Sequence, residues 1–491
     1  MDIDFDTYYR AIQSRDARFD GRFFTGVTST GIYCRPICPA QTPRRENVRF
    51  YPSAAAAEAA GFRACRRCRP DAAPHSPDWN VRADLAGRAL RLIAEGAIDT
   101  DRVSGLARRL AVSPRHLHRE LLAEVGAGPL ALARTRRTQT ARLLIDETGL
   151  PLSEIAFAAG FGSIRQFNDS MRAAFGCNPT ELRRRMEPVP AGTGTITLRL
   201  AHRLPFDAES LLAYLGRRAI PGVEQVTEGR YRRSITLGRS RGTLELEPLS
   251  GKGVVRLQLW LDELSDLTLL VQRCRGLLDL DVDPTAVAGA LGTDPVLTPI
   301  VSARPGLRLP GAIDGWEAAA RAILGQQISV TAARTLAGRL AQRLGTPLPY
   351  PDGQITHLFP PPEVVADAEL STLGITRARA ETLRSLASAV ARREIRLDRG
   401  ADRQEVEAHL LALPGIGPWT ASYIAMRALG DPDAFLPGDL GVRRAAEQLG
   451  LDSSPRRLEA YAERWRPWRA YAVLYLWESL TTARFPLERA V

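Results

Sequence analysis

Apolar and polar positions keep different spacings in different parts of this chain, and each change of spacing marks a change of structure. From about residue 80 to 186 apolar residues recur at helical spacing, as in Leu85-Ala86-Gly87-Arg88-Ala89-Leu90-Arg91-Leu92-Ile93, so this segment reads as helices throughout. From Thr195 to about Leu259 the pattern turns to alternation. Ile196, Leu198 and Leu200 have polar neighbours, and Thr243-Leu244-Glu245-Leu246-Glu247 and Val254-Val255-Arg256-Leu257-Gln258-Leu259 continue the pattern, which predicts strands. A helix at about 207 to 219 interrupts them. From about 308 to 485 helical spacing returns, punctuated by Gly and Pro. Linker-like runs fall at Cys68-Arg69-Pro70-Asp71-Ala72-Ala73-Pro74 and Pro188-Val189-Pro190-Ala191-Gly192-Thr193-Gly194. The chain, 491 residues long, exceeds what one core supports and is expected to form three or four domains.

The helical segment contains an internal repeat. Leu106-Ala107-Arg108-Arg109-Leu110-Ala111-Val112-Ser113-Pro114-Arg115-His116-Leu117-His118 reads as a helix, a tight turn and a second helix, with Ser113 as cap and Pro114 at its first position. Ile155-Ala156-Phe157-Ala158-Ala159-Gly160-Phe161-Gly162-Ser163-Ile164-Arg165-Gln166-Phe167 does the same with Ser163 as cap. Each copy is followed by Gly-x-x-Pro, at Gly126 and Pro129 and again at Gly176 and Pro179. Two helix-turn-helix units in tandem suit neighbouring major-groove segments of one duplex. The candidate base readers are Arg115, His116 and His118 in the first recognition helix and Ser163, Arg165 and Gln166 in the second.

Charge points the same way. The net charge is +11, with much of the excess in the first 187 residues, which favours a polyanionic partner. The cations are almost all arginine, and Lys252 is the only lysine, so amine chemistry has one candidate. No apolar run approaches the ~18 residues needed to span a bilayer. The start Met1-Asp2-Ile3-Asp4-Phe5-Asp6 is acidic where a signal peptide is basic, so a cytoplasmic protein without a membrane partner is expected.

Four of the six cysteines fall in the first section as C-x3-C, a gap of 26 and C-x2-C: Cys34, Cys38, Cys65 and Cys68. Two close pairs of thiolates fit one tetrahedral Zn²⁺ better than a disulfide framework in a reducing compartment. Cys177 and Cys274 stand alone and read as core thiols.

The words around these cysteines carry more than the spacing. Ser29-Thr30-Gly31-Ile32-Tyr33-Cys34-Arg35-Pro36, Arg45-Glu46-Asn47-Val48-Arg49-Phe50-Tyr51 and Gly61-Phe62-Arg63-Ala64-Cys65-Arg66-Arg67-Cys68-Arg69-Pro70 closely resemble the amino-terminal module of the Ada adaptive-response regulators. The helical repeat over about 85 to 186 resembles the AraC-type DNA-binding domain, which follows directly in that family. The resemblance implies a zinc-bound Cys34 that takes a methyl group irreversibly from a DNA methylphosphotriester, with Cys38, Cys65 and Cys68 holding the metal.

In the last section Leu413-Pro414-Gly415-Ile416-Gly417-Pro418-Trp419 places Gly415 and Gly417 between two helices, where the backbone can approach a phosphate. About twenty residues on, Asp439 sits in Phe435-Leu436-Pro437-Gly438-Asp439-Leu440-Gly441-Val442. Together these match the helix-hairpin-helix motif and the Gly/Pro-rich loop of the endonuclease III-like glycosylase superfamily. Arg321-Ala322-Ile323-Leu324-Gly325-Gln326-Gln327-Ile328 and Arg464-Trp465-Arg466-Pro467-Trp468-Arg469 are similar to AlkA-type 3-methyladenine DNA glycosylase II, as is the strand-rich section before them. The resemblance implies Asp439 as the catalytic carboxylate and Trp419, Tyr423, Trp468 and Tyr214 as a base pocket. It also implies Gln326, Gln327, Gly415 and Gly417 as DNA contacts, and hairpin carbonyls that hold a monovalent cation. Trp419 stands where strand-cutting relatives carry a Schiff-base lysine, so a monofunctional enzyme is expected. Two residues depart from the family example: Leu440 replaces a pocket tyrosine, and Gln327 replaces the leucine that fills the vacated duplex space.

The expected architecture is multidomain and mainly α with α+β parts. It comprises a small zinc domain over 1–78, an all-α tandem helix-turn-helix domain over 80–187, a β-rich α+β domain over 194–307 and an all-α helix-hairpin-helix domain over 308–485. The expected function joins a methyl-sensing transcriptional activator to an alkylation-repair glycosylase. Double-stranded DNA is the expected partner, RNA polymerase a further one for the activator, and a monomer the expected state. No Pro-Cys-His-Arg word occurs, so an O6-methylguanine transferase domain is not predicted. Two alternatives stay open: a transcription regulator whose glycosylase half only binds DNA, and a regulatory half that only targets damage.

Overall fold

Asp4 caps the helix Phe5–Ser14, accepting from the Asp6 amide at 3.2 Å, and begins the first part of a computed structural model that describes residues 4–70, 84–184 and 195–482. The predicted linker over 188–194, and the other linker beyond Pro70, lie outside the described residues. Contacts divide the chain into two units. The first holds the described residues up to His202 with Leu237–Leu244 and Leu249–Gln272, and the second holds Arg203–Thr236, Glu245–Pro248 and the described residues from Arg273.

In the first unit, strands β1 (Phe24–Val27), β2 (Ile32–Cys34), β3 (Val48–Tyr51) and β4 (Arg63–Ala64) form a sheet in the order β3-β1-β2-β4. Neighbours pair antiparallel except β2 and β4, which run parallel with Tyr33 opposite Ala64. One face is covered by aromatic rings, with Tyr8 stacked on Phe23 at 4.2 Å and Phe50 edge-on to Phe23 at 5.2 Å. So small a section buries little apolar surface, and ring packing plus a metal is how such domains reach stability.

Seven helices follow: Leu85–Ala94, Ala97–Arg109, Pro114–Val125, Pro129–Glu147, Leu152–Ala158, Ile164–Phe175 and Pro179–Arg184. Both predicted caps form: Ser113 Oγ accepts from the His116 amide and Ser163 Oγ from the Gln166 amide, each at 3.2 Å. The repeated Gly-x-x-Pro also has a structural reason. Gly126 (φ 68°) and Gly176 (φ 69°) end the recognition helices in the left-handed region, and Pro129 and Pro179 open the next helix. The zinc-bearing section packs on this helical part, since Ser53 Oγ donates to Val125 O at 2.8 Å and Thr135 Oγ1 to Glu58 Oε2 at 2.6 Å.

Strands β5 (Thr195–Ala201), β6 (Glu224–Thr227), β7 (Arg230–Leu237), β8 (Ser240–Leu249) and β9 (Val254–Leu261) form one sheet in the order β5-β9-β8-β7-β6. The alternation that predicted them also sets their register: Ile196, Leu198 and Leu200 face Leu259, Leu257 and Val255, and all six are buried. The strands end at Leu261, and helices Leu267–Leu277, Pro284–Leu291 and Thr298–Ala303 complete the section predicted to be β-rich.

The second unit contains the helix Ala208–Arg218, predicted at 207 to 219, and the helices that carry the carboxyl-terminal motifs. These include Gly315–Leu324, Arg403–Leu411, Pro418–Arg427, Leu440–Gln448 and Arg469–Thr482. The β10–β11 hairpin (Pro347–Asp352, Ile355–His357) breaks the helical run. It was not legible because Pro347-Leu348-Pro349-Tyr350-Pro351 reads as a loop rather than as strand alternation.

Candidate metal centre and active site

Because β2 and β4 run parallel and end together, Cys34 and Cys65 leave the sheet side by side, and the Cys65 amide donates to Tyr33 O at 3.0 Å. A turn closed by the Cys38 amide on Arg35 O returns Cys38, and the next turn returns Cys68. All four Sγ atoms lie within 4.8 Å of one another, which fits tetrahedral zinc, whose sulfurs stand about 3.8 Å apart at Zn–S bonds near 2.3 Å. Four thiolates this close repel one another, and a divalent cation is what lets all four ionise together.

Arg35 anchors the site from outside. Its amide donates to Cys68 Sγ at 3.3 Å and its Nε to the buried Asp20 at 2.8 Å. Cys34 is half-buried and borders a cavity of about 540 Å³ that Thr30, Arg35, Arg63, Arg66, Arg67 and Phe175 also line. Arg63, Arg66 and Arg67 are exposed, so the cavity is open and cationic where a phosphate would enter.

Of the expected base readers, Arg115, His118, Ser163, Arg165 and Gln166 are exposed and His116 is half-buried; Arg165, with 93% of its side chain in solvent, has its Nε 3.9 Å from Asp169 Oδ2. Gln166 Oε1 accepts from the Gly162 amide at 3.1 Å, and Ser163 is used as the cap. His116 Nδ1 sits 2.6 Å from Arg119 Nη2. The His118 ring lies over Gly128, where a Cβ would come within 2.4 Å of it.

In the second unit, Asp439 is the N-cap of the helix Leu440–Gln448, its Oδ1 accepting from the Val442 amide at 2.9 Å. Trp419 Nε1 donates to Oδ2 and Trp477 Nε1 to Oδ1, both at 2.9 Å. Three donors from three helices therefore fix the carboxylate. Trp477 reaches it across Gly441, where a Cβ would stand 3.0 Å from Trp477 Cδ1 and 3.1 Å from Asp439 Oδ1. Trp477 was missed because it lies in the apolar run of Arg469–Thr482, where nothing local separates it from core.

A cavity of about 500 Å³ opens beside Asp439 and is lined by Trp419, Tyr423, Tyr214 and Trp477. Trp419 stacks on Tyr423 at 5.2 Å and 14°. The structure does not bring Trp468 to this cavity: the residue is 8% exposed and packs edge-on to Tyr471 at 5.4 Å. Leu440 points away and is 58% exposed.

The hairpin lies between Arg403–Leu411 and Pro418–Arg427. Gly415 (φ 85°) sits so close to Thr382 that a Cβ would come within 2.0 Å of its Oγ1, whereas Gly417 has open space around it. Gln326 Nε2 donates to Gly415 O at 2.9 Å and to Thr420 Oγ1 at 3.0 Å, bracing the hairpin. Gln327 stands exposed at φ 56°, a left-handed conformation that turns it out of its helix. Thr382 Oγ1 donates to Pro414 O at 3.0 Å, so two hairpin carbonyls, of Pro414 and Gly415, already accept bonds from side chains.

A cysteine-ligated centre with two helix-turn-helix units, and a helix-hairpin-helix fold around a bridged aspartate, define a DNA-binding repair protein that also carries a regulator's DNA-reading part. Family profiles agree: "Metal binding domain of Ada" matches residues 7–71, "Helix-turn-helix domain" 106–185, "AlkA N-terminal domain" 197–314, and "HhH-GPD superfamily base excision DNA repair protein" 320–470. A Mycobacterium tuberculosis protein named "Probable bifunctional transcriptional activator/DNA repair enzyme AlkA" is 51% identical, over 98% of this chain and 97% of its own. The chain belongs to that family of fused Ada-type regulators and AlkA-type glycosylases. DNA-3-methyladenine glycosylase 2 of Escherichia coli is 36% identical over 56% of this chain and 94% of its own. The solved 3-methyladenine DNA-glycosylase of Archaeoglobus fulgidus matches 58% of this chain and 98% of its own, at 25% identity and a TM-score of 0.51. Cys34, Cys38, Cys65 and Cys68 are the zinc ligands, and double-stranded DNA is the partner. Among the described residues no helix is long and apolar enough to cross a membrane.

Proposed function

We propose that the second unit hydrolyses the N-glycosidic bond of alkylated bases such as 3-methyladenine in DNA. The observation that carries this is the pair of indole N–H bonds that aim Asp439 into an aromatic cavity. N-alkylation makes a purine a good leaving group, so the site has to stabilise positive charge on the sugar and orient a water. A fixed carboxylate supplies both. The base leaves the stack for the cavity, where Trp419 and Tyr423 offer stacked rings to a cationic purine. Gln327 fills the vacated space in the duplex, and the amides near Gly415 and Gly417 meet the backbone phosphate. With Trp419 in the lysine position, the product is an intact abasic site.

In the first unit, Cys34 Sγ attacks the methyl carbon of a methylphosphotriester. The S–C bond forms as the C–O bond breaks, and the phosphodiester leaves with the electron pair. Zinc, when bound, keeps the Cys34 thiol ionised at neutral pH. The arginines around the cavity hold the phosphate. Transfer removes one negative charge from the protein surface facing DNA, which strengthens the phosphate electrostatics on which much of the affinity of the helix-turn-helix part rests, while Arg115, Arg165 and Gln166 read the bases. A monomer in the cytoplasm that recruits RNA polymerase from a bound promoter completes the reading.

One experiment tests both halves. Wild type, Asp439→Asn and Cys34→Ala are incubated with methylated DNA, and free base and protein methylation are measured in the same tubes. Asp439→Asn is expected to lower base release by about 10²- to 10³-fold while leaving protein methylation intact. Cys34→Ala is expected to do the reverse. Base release at the wild-type rate by Asp439→Asn would overturn the enzymatic assignment, and labelled Cys34→Ala protein the acceptor assignment.

A further inference from the structure

The residues expected to read bases lie in the first turns of the two recognition helices, and the far ends of both helices are held by one section of the chain. Val125 and Phe175 occupy equivalent places in the two repeats, as the last residues of Pro114–Val125 and Ile164–Phe175. Val125 O accepts from Ser53 Oγ at 2.8 Å, and Phe175 O accepts from Arg66 Nη2 at 3.3 Å. The glycines that follow are covered from the same section. A Cβ on Gly126 would stand 3.1 Å from Ala56 Cβ, and one on Gly176 would stand 2.7 Å from Arg63 Nη1. Between the two anchors, Glu58 accepts from Thr135 on the connecting helix Pro129–Glu147 at 2.6 Å and from Tyr33 at 2.8 Å. The cysteine-bearing section thus grips the first reader, the connecting helix and the second reader.

We propose that this section is a template for the two readers: Ser53 and Arg66 are positioning residues that fix the separation and tilt of the recognition helices, and so the spacing of the two base motifs bound on one duplex. This rests on the reading of Arg115, Arg165 and Gln166 as base contacts. The lever is long. Each recognition helix has 12 residues and is about 18 Å long, so a tilt of about 5° at the anchored end moves the reading end by about 1.5 Å, enough to break a base-edge hydrogen bond. A cation on a last carbonyl also suits the carboxyl end of a helix. The two anchors differ in one respect. Ser53 caps the short helix Ala54–Ala59, accepting from the Ala56 amide at 3.0 Å, whereas Arg66 stands in the turn between the zinc ligands Cys65 and Cys68. The second anchor therefore belongs to the metal centre itself.

The test uses the full-length, zinc-loaded protein and a pool of duplexes of random sequence. Wild type is expected to enrich two motifs at one fixed spacing. Arg66→Ala should keep the first motif, lower the base preference within the second about tenfold and spread the spacing over several base pairs. Ser53→Ala should blur the first motif instead, and Arg66→Lys, which keeps a cationic donor, should recover part of the second. Arg67→Ala removes an equal charge from the same cavity wall but leaves the Arg66–Phe175 bond in place. It is expected to weaken binding to all duplexes alike and to leave the spacing fixed. An Arg66→Ala protein that enriches both motifs at the wild-type spacing would overturn the proposal. So would an Arg67→Ala protein that spreads the spacing to the same extent, since charge alone would then account for the effect. Arg115→Ala and Arg165→Ala are run on the same pool, and motifs that they leave unchanged refute the base-reader assignment and not the template. A pool that wild type leaves unenriched would overturn both.

Discussion

The indole N–H of Trp477 donates to Oδ1 of Asp439 at 2.9 Å, opposite the bond that Trp419 makes to Oδ2. The carboxylate is clamped between two indoles from different helices, and neither can be exchanged without freeing it to rotate. Trp477→Phe keeps an aromatic ring, smaller than the indole, and removes the donor. A hydrogen bond to a charged group is worth about 1.5–3 kcal/mol, so single-turnover base release should fall about 10- to 100-fold. A wild-type rate would show that Trp419 and the Val442 amide suffice to hold Asp439.

Gln326 acts at a distance from the chemistry. Its amide joins Gly415 O and Thr420 Oγ1, tying the hairpin to the end of the helix Gly315–Leu324. Gln326→Ala is expected to cost about 1–2 kcal/mol of thermal stability and to weaken binding to an abasic-site duplex. Unchanged duplex affinity in a titration would separate the brace from DNA contact.

The four sulfurs are one unit. Replacing Cys65, which starts from the strand β4, should abolish stoichiometric zinc rather than reduce it partially, because three close thiols without a fourth leave the metal open to water. Metal analysis of purified Cys65→Ala is expected to show well under one zinc per chain, and the melting transition of the first unit to fall. A full equivalent of zinc would mean that the site tolerates three protein ligands.

Asp279 gives a pH signature in the second unit. It is buried, and burial lifts its carboxyl from 3.8 to about 6 despite Arg308 and the bond from Tyr471 at 2.6 Å. The folded state therefore holds a proton that the unfolded chain gives up, and between about pH 4 and 6 this group makes stability fall as pH rises. Relative to Asp279→Asn, wild type should lose a few kcal/mol across that window, measured by denaturant unfolding at each pH. Parallel curves for the two proteins would show that Asp279 does not titrate there.

Some of the site could be read without coordinates. The cysteine pairs, the serine caps and the Gly-x-x-Pro trailers are local, since a cap or a ligand pair needs only neighbours in the chain. The buried faces of β5 and β9 were legible for the same reason, because alternation with period two leaves only one apolar face for each strand, but that the two pair with each other was not. The Asp439 loop and Trp419 were legible as words. Of the aromatic set, Trp419, Tyr423 and Tyr214 line the cavity beside Asp439, whereas Trp468, in the more distinctive word Arg466-Pro467-Trp468, packs on Tyr471 outside it and Trp477 reaches the carboxylate.

By itself the sequence determined that this chain has a four-cysteine centre, two capped helix-turn-helix units, a strand-rich section and a hairpin followed by an aspartate. Each of these is written in spacings shorter than a supersecondary unit. Only the tertiary structure decided which side chains meet. It placed Trp477 rather than Trp468 on Asp439 and turned Gln326 inward to the hairpin while Gln327 faces out. It also laid Arg218 and Arg427 over Tyr214. The physical reason is that a cavity is bounded by helices far apart in sequence. Which face of each helix lines it depends on how the helices pack against one another, and no local pattern records that.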